Sequence, residues 1–140
     1  MSIFNQAIDR GKVLKASFFA IIAAVVVNLI VRAILGLFYP IDPAFQPLSY
    51  VSIALFTTIY CVIASVIFYL VVRFTKSPAR IFIIISIIGF LLSLVQNFLG
   101  IANPASIPMG GASSDYAVLI IFHVTALIAY VYTVLRFSKA

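Results

Sequence analysis

Four side chains with the chemistry to bind a small molecule lie in stretches that are otherwise almost wholly apolar: Asn28, Arg32, Gln96 and His123. Asn28 and Arg32 are four residues apart in AIIAAVVVNLIVRAILG, residues 20–36, so a helix sets them on one face. Ala16, Ala20, Ala24 and Gly36 extend the same row. Arg32 offers a guanidinium to an anionic or carbonyl oxygen, Asn28 and Gln96 offer amides, and His123 can carry a proton near neutral pH. A quinone head group or a lipid head group suits that set.

Other chemistries lack their equipment. The chain has one His and one Cys, His123 and Cys61, too few for a zinc or haem-iron shell, so no metal and no resident cofactor is expected. It contains no Glu, and none of Asp9, Asp42 and Asp115 falls within an apolar run, which removes the usual carboxylate of a proton or cation relay. Ser86 and Ser93 have no base-and-orienter set in the sequence, and there is no Gly-rich phosphate loop, so the protein reads as a non-enzyme.

The elements that must position these groups are membrane spans. With 65% hydrophobic and 9% charged residues over 140 positions, the chain falls far below the ~25% charged residues of soluble domains. Crossing the hydrocarbon takes ~20 apolar residues per helix. Four runs meet that length, at about 13–38, 49–74, 79–100 and 116–137, and they use up most of one 140-residue domain. The expected fold is all-α, an integral membrane four-helix up-down bundle. The N-terminal run is longer than a cleaved signal's apolar region and reads as a retained anchor.

Charge placement orients it. Eight of the nine Lys and Arg fall in three segments, Arg10–Lys12–Lys15, Arg73–Lys76–Arg80 and Arg136–Lys139. The two connections between them carry only Asp42 and Asp115. This is the positive-inside pattern, which puts both termini at the cytoplasmic face of a cell membrane. The net charge of +6 therefore faces anionic lipid, and no nucleic-acid partner is expected.

Along the chain, residues 2–11 fit a short amphipathic surface helix or a frayed end. Pro40, Pro43 and Pro47 close the first span, and Tyr39, Phe45 and Tyr50 mark the distal interface. Ser77 is the expected N-cap of span three, with Pro78 at its first position. Ser86, Gly89, Ser93, Gln96 and Gly100 then form a second ridge of small and polar residues, expected to face inward and pack, with Asn97 beside it. The connection from Ile101 to Ser114 reads as an outer flap, and Asp115 as the cap of span four.

Depth follows from a rise of ~1.5 Å per residue: Asn28 and His123 lie ~12 Å below the distal ends of their spans, and Arg32 and Gln96 ~6 Å below theirs. Two accounts stand. In one, Arg32 reaches phosphates or Asp115 while the other three make interhelical hydrogen bonds. In the other, all four line an outward-opening pocket.

The order of several segments resembles a known family. Asn28 in AAVVVNLIV, the proline-closed loop into PLSYV, SPARIF opening span three, Ser93 in LLSLV and IFHVTALIA around His123 are similar to an uncharacterised family of small bacterial four-helix membrane proteins, a domain of unknown function. The resemblance spans nearly the whole chain. It implies the four-helix fold and a bacterial inner-membrane setting, and it brings no activity. Members often carry a proline shortly after the serine matching Ser93, where this chain has Val95, Gln96 and Asn97, which leaves no proline to bend span three.

The leading functional expectation is a multi-pass, non-enzymatic accessory or structural subunit, in contact with the lipid bilayer and joining a larger complex or a homo-oligomer. The alternative is a binding protein for a quinone or lipid head group at Asn28, Arg32, Gln96 and His123. A permeation path between assembled copies is a third option.

Overall fold

The computed structural model describes residues 7–108 and 110–140. Among the described residues there are five α-helices: α1 Val13–Phe38, α2 Tyr50–Phe74, α3 Pro78–Ser93, α4 Val95–Ala102 and α5 Ser113–Phe137. Helices α3 and α4 together make one apolar stretch, Pro78–Ala102, so four units are long and apolar enough to cross a membrane, with mean hydropathies from 2.3 to 2.6. This is a multi-pass membrane protein.

Local chemistry sets the helix ends. Pro40 forces Tyr39 into extended backbone (φ −124°, ψ 123°), and α1 stops. The Ser49 hydroxyl accepts from the Ser52 amide at 3.2 Å and starts α2. At α3, Pro78 opens the helix, but Ser77 makes no side-chain cap bond. The α5 helix begins at Ser113, three residues before Tyr116, because the Asp115 carboxylate reaches back to the Ala112 amide at 2.7 Å and holds an extra turn.

Span three is not one uninterrupted helix. Its backbone tightens at Leu94, whose amide is shared between the Phe90 and Leu91 carbonyls at 3.2 and 3.3 Å. The Ser93 hydroxyl also donates to the Phe90 carbonyl, at 2.7 Å. A serine that competes for the helix's own acceptor bends it without proline. Of the surface helix expected over 2–11, residues 2–6 lie outside the described residues. The remainder is not α-helical: Ile8 pairs with Lys139 as an antiparallel bridge, and Arg10–Lys12 is a 3₁₀ turn.

The two chain ends meet. The Asp9 amide donates to the Ser138 carbonyl (2.8 Å), and the Ala140 amide to that of Ala7 (3.1 Å). At the distal end, Tyr39 donates its hydroxyl to Asp115 Oδ1 (2.8 Å), and Ser114 Oγ lies equally near. Helices α1 and α5 are thus tied at both extremes.

Between these ties the ridge on α1 is packed: Ala16, Ala20, Ala24 and Asn28 are all at most 1% exposed. Small residues let α1 lie close against α2 and α5. Phe68 packs tilted against Phe82 with ring centres 4.6 Å apart, with Tyr130 beyond it, and this joins α2, α3 and α5 near the chain ends. A second cluster at the distal end folds Phe45 and Leu48 onto Ile53, Tyr116 and Phe122. The connection after α4 is pinned there: a Cβ on Gly111 would lie 2.5 Å from the Phe45 ring, and Tyr116 donates to the Gly110 carbonyl.

Candidate functional site

Asn28 is fully bonded. Its Nδ2 donates to Thr57 Oγ1 on α2 (2.9 Å) and to the Phe122 carbonyl on α5 (3.3 Å), and its Oδ1 accepts from Thr125 Oγ1 (2.5 Å). One buried amide therefore ties three helices at a single level.

Beside it lies a cavity of about 530 Å³. It runs from Pro47 and Ser52 at the distal end down to Phe82 and Tyr130, walled by α2, α3, α4 and α5, with Asn28 behind. The ridge of α3 and α4 turns towards this space. Ser86, Gly89, Ser93 and Gln96 line it, and nothing lies within 4 Å of the place a Gly89 Cβ would take. Only Gly100 of that ridge packs as a small residue should, flat against the Tyr116 ring. The expectation that both ridges seal helix contacts is thus corrected: the first does, whereas most of the second borders a gap. Phe82, packed against Phe68, closes the gap at its end nearer the chain termini, and the helix break at Leu94 lies along its wall.

The cavity opens sideways. On one rim Phe56, Tyr60 and Ile63 are about half exposed (50%, 55% and 51%), and on the other Gly89 and Gln96 are exposed. It is a slot between α2 and the α3–α4 unit, facing the side of the bundle where acyl chains would lie.

Of the four residues singled out by sequence, Asn28, Gln96 and His123 line this slot and Arg32 does not. Arg32 Nε donates to the Leu48 carbonyl at 2.6 Å, and its guanidinium lies 4.7 Å from the Tyr50 ring centre. The 3₁₀ turn Gln46–Leu48, folded back over α1, intercepts the side chain before it can reach the others. Nor does it reach Asp115, which is engaged by Tyr39 and Ala112.

His123 sits half-buried with Nδ1 3.3 Å from Ser93 Oγ and its ring edge-on to Tyr60, centroids 6.4 Å apart. Ser93 has already directed its proton to the Phe90 carbonyl, so the consistent tautomer has Nδ1–H donating to Ser93 and an unprotonated Nε2. No Asp or Glu lines the slot, and among the described residues no three His, Cys, Asp or Glu lie together as metal ligands.

Asn97 is the residue that sequence reasoning passed over. It is 4% exposed, lines the slot, and its Nδ2 has no hydrogen-bond partner among the described residues. Ser93 to Asn97 is an i,i+4 step like the others, so the signal was present, but Gln96 fits the ridge spacing equally well. Burial separates them: Gln96 is exposed and Asn97 is not.

A family model described as "Family of unknown function (DUF6069)" matches residues 5–139. The chain belongs to this family. No curated protein and no solved structure matches it. In this DUF6069 member the matched region takes in every residue of the slot.

Proposed function

We propose that this protein is a non-catalytic, four-span up-down bundle, both termini cytoplasmic, that binds an amphiphilic small molecule drawn sideways from the bilayer. The orientation is supported by the basic segments at the end where the termini meet and by Asp42 and Asp115 at the other. The binding reading rests on one observation, the uncharged slot of about 530 Å³ that opens beside half-exposed Phe56 and Tyr60 and carries Ser93, Gln96 and His123 on its wall. The volume falls within the roughly 300–1,000 Å³ of small-molecule sites.

The test is extraction of the purified protein with organic solvent, followed by mass spectrometry, for wild type and Gly89→Leu. A Cβ at position 89 meets nothing within 4 Å and Gly89 lines the slot, so Leu there should narrow the slot without disturbing the fold. A stoichiometric lipid-like molecule in wild type and its loss in the variant is the expected result. No such molecule in either overturns the reading.

A second reading is an accessory subunit whose slot takes a helix from a partner or a second copy. Ser86 and Gly89 favour it, being residues that let a helix backbone approach closely. A dimer or a stoichiometric partner in mild detergent, abolished by Gly89→Leu, would decide for it.

A further inference from the structure

We infer that the ligand of the slot is a lipid alcohol, an uncharged amphiphile whose head is a free hydroxyl, with that hydroxyl held at His123. This rests on the reading of the slot as a small-molecule site, and it narrows that reading by depth, charge and hydrogen-bond pattern.

Depth and charge act together. At ~1.5 Å per residue His123 lies ~15 Å from the distal end of α5 at Ser113. The hydrocarbon is about 30 Å thick, so His123 stands near the middle of the bilayer. A head that enters through the lateral rim beside Phe56, Tyr60 and Ile63 must itself travel to that level. A phosphate or carboxylate would leave its hydration behind, and no Lys, Arg, Asp or Glu lines the slot to receive it. The one cation within the spans, Arg32, is held elsewhere by the Leu48 carbonyl and the Tyr50 ring. A single hydroxyl gives up far less hydration on the same path.

The hydrogen-bond pattern then separates the neutral heads. His123 Nδ1 is engaged with Ser93, whereas Nε2 is neither bonded nor enclosed among the described residues. With Nδ1–H directed to Ser93, Nε2 is an acceptor, and only a donor satisfies it. A ketone, ester or ether head brings none. A hydroxyl donates to Nε2 and keeps lone pairs for a donor in return. Two side chains on the slot wall can be that donor. The Tyr60 ring stands edge-on to His123, and Gln96 lies just beyond Ser93; both are exposed. The Asn97 amide nitrogen is enclosed in the wall itself and takes no part.

The tail follows from the rest of the slot. Ile63, Ile67 and Ile85 continue it as apolar wall towards the end that Phe82 closes. About 530 Å³ is the size of an ordinary small-molecule site, so a long tail leaves its remainder in the bilayer beyond the half-exposed rim. Diacylglycerols and polyprenols share this chemistry.

The experiment is equilibrium binding to the purified full chain in a neutral detergent, read by scintillation proximity with tritiated dioctanoylglycerol and tritiated geranylgeraniol. The unlabelled competitors are these two alcohols, the acetate ester of dioctanoylglycerol, and dioctanoyl phosphatidylglycerol. The ester keeps the tails and the neutrality but turns the hydroxyl into an acceptor. The expected result is saturable, salt-insensitive binding of an alcohol, with the ester about tenfold weaker and the phosphatidylglycerol without effect. The tighter of the two alcohols identifies the source. His123→Phe keeps a ring and removes Nε2, so alcohol and ester should there compete equally, which a general loss of packing would not produce.

An ester as tight as the alcohol in wild type overturns the hydroxyl head and leaves a site for some other uncharged amphiphile. A difference between alcohol and ester that survives in His123→Phe overturns the placement at His123. Displacement by the phosphatidylglycerol overturns the restriction to neutral heads. If neither alcohol binds while a stoichiometric molecule is still extracted from the native protein, this inference alone falls; if nothing is extracted either, the function on which it rests falls with it.

Discussion

Replacing Asn28 by Leu removes the amide that joins α1 to α2 and α5 while keeping the number and branching of the side-chain heavy atoms. Three bonds go: donation to Thr57 Oγ1 at 2.9 Å, donation to the Phe122 carbonyl at 3.3 Å, and acceptance from Thr125 Oγ1 at 2.5 Å. Interhelical hydrogen bonds within membranes average about 0.6 kcal/mol, so three sum to about 2 kcal/mol. Some of that is returned. Thr125 Oγ1 already lies 2.9 Å from the Ile121 carbonyl and drops back onto it, so the net loss should be about 1–2 kcal/mol. Reversible unfolding in mixed micelles, titrated with a denaturing detergent, measures it. A double-mutant cycle with Thr57→Val isolates one bond and should give coupling of about 0.6 kcal/mol. If Asn28→Leu is as stable as wild type, or the cycle shows no coupling, the three-helix tie carries no stability and the reasoning fails.

The two ridge glycines of span three should part company. Gly100→Ala drives a Cβ to within 2.3 Å of the buried Tyr116 ring and should destabilise by about 1–3 kcal/mol in the same unfolding assay. Gly89→Ala meets nothing and should be neutral or slightly stabilising, with a more compliant helix residue replaced by a better helix former. Tyr39→Phe removes the hydroxyl that ties α1 to Asp115 and should cost about 0.5–1 kcal/mol in thermal unfolding. The Ser114 hydroxyl draws the Tyr39 pKa down, but desolvation and the Asp115 carboxylate outweigh it and hold the value above its usual range. A folded-state pKa raised above that of the unfolded chain means the tie is complete below the usual tyrosine value of about 10 and is lost as pH climbs past it. Unfolding followed from pH 8 to 11 should show that alkaline loss in wild type and not in Tyr39→Phe.

The packed ridge of α1 was legible because its residues recur every fourth position on an otherwise bulky cylinder, and lipid gives such a stripe nothing to gain. Asn28 was legible for the same reason. The ridge of span three obeys the same spacing yet borders a gap, because spacing states which residues share a face and not how far away the next helix stands. Phe68 packed against Phe82 and the helix break at Leu94 are tertiary and backbone features that the spacing does not encode.

Sequence alone determined the four apolar units and the family, since both are one-dimensional properties: run length against bilayer thickness, and the order of segments such as IFHVTALIA. It also marked Asn28, Gln96 and His123 as polar groups at membrane depth. Only the tertiary structure removed Arg32 from their company and put Asn97 there. The first outcome depends on where the Gln46–Leu48 turn folds back, and the second on which side of the bent span three is covered by α5. Both are relations between segments far apart in the chain, and local periodicity carries no information about them.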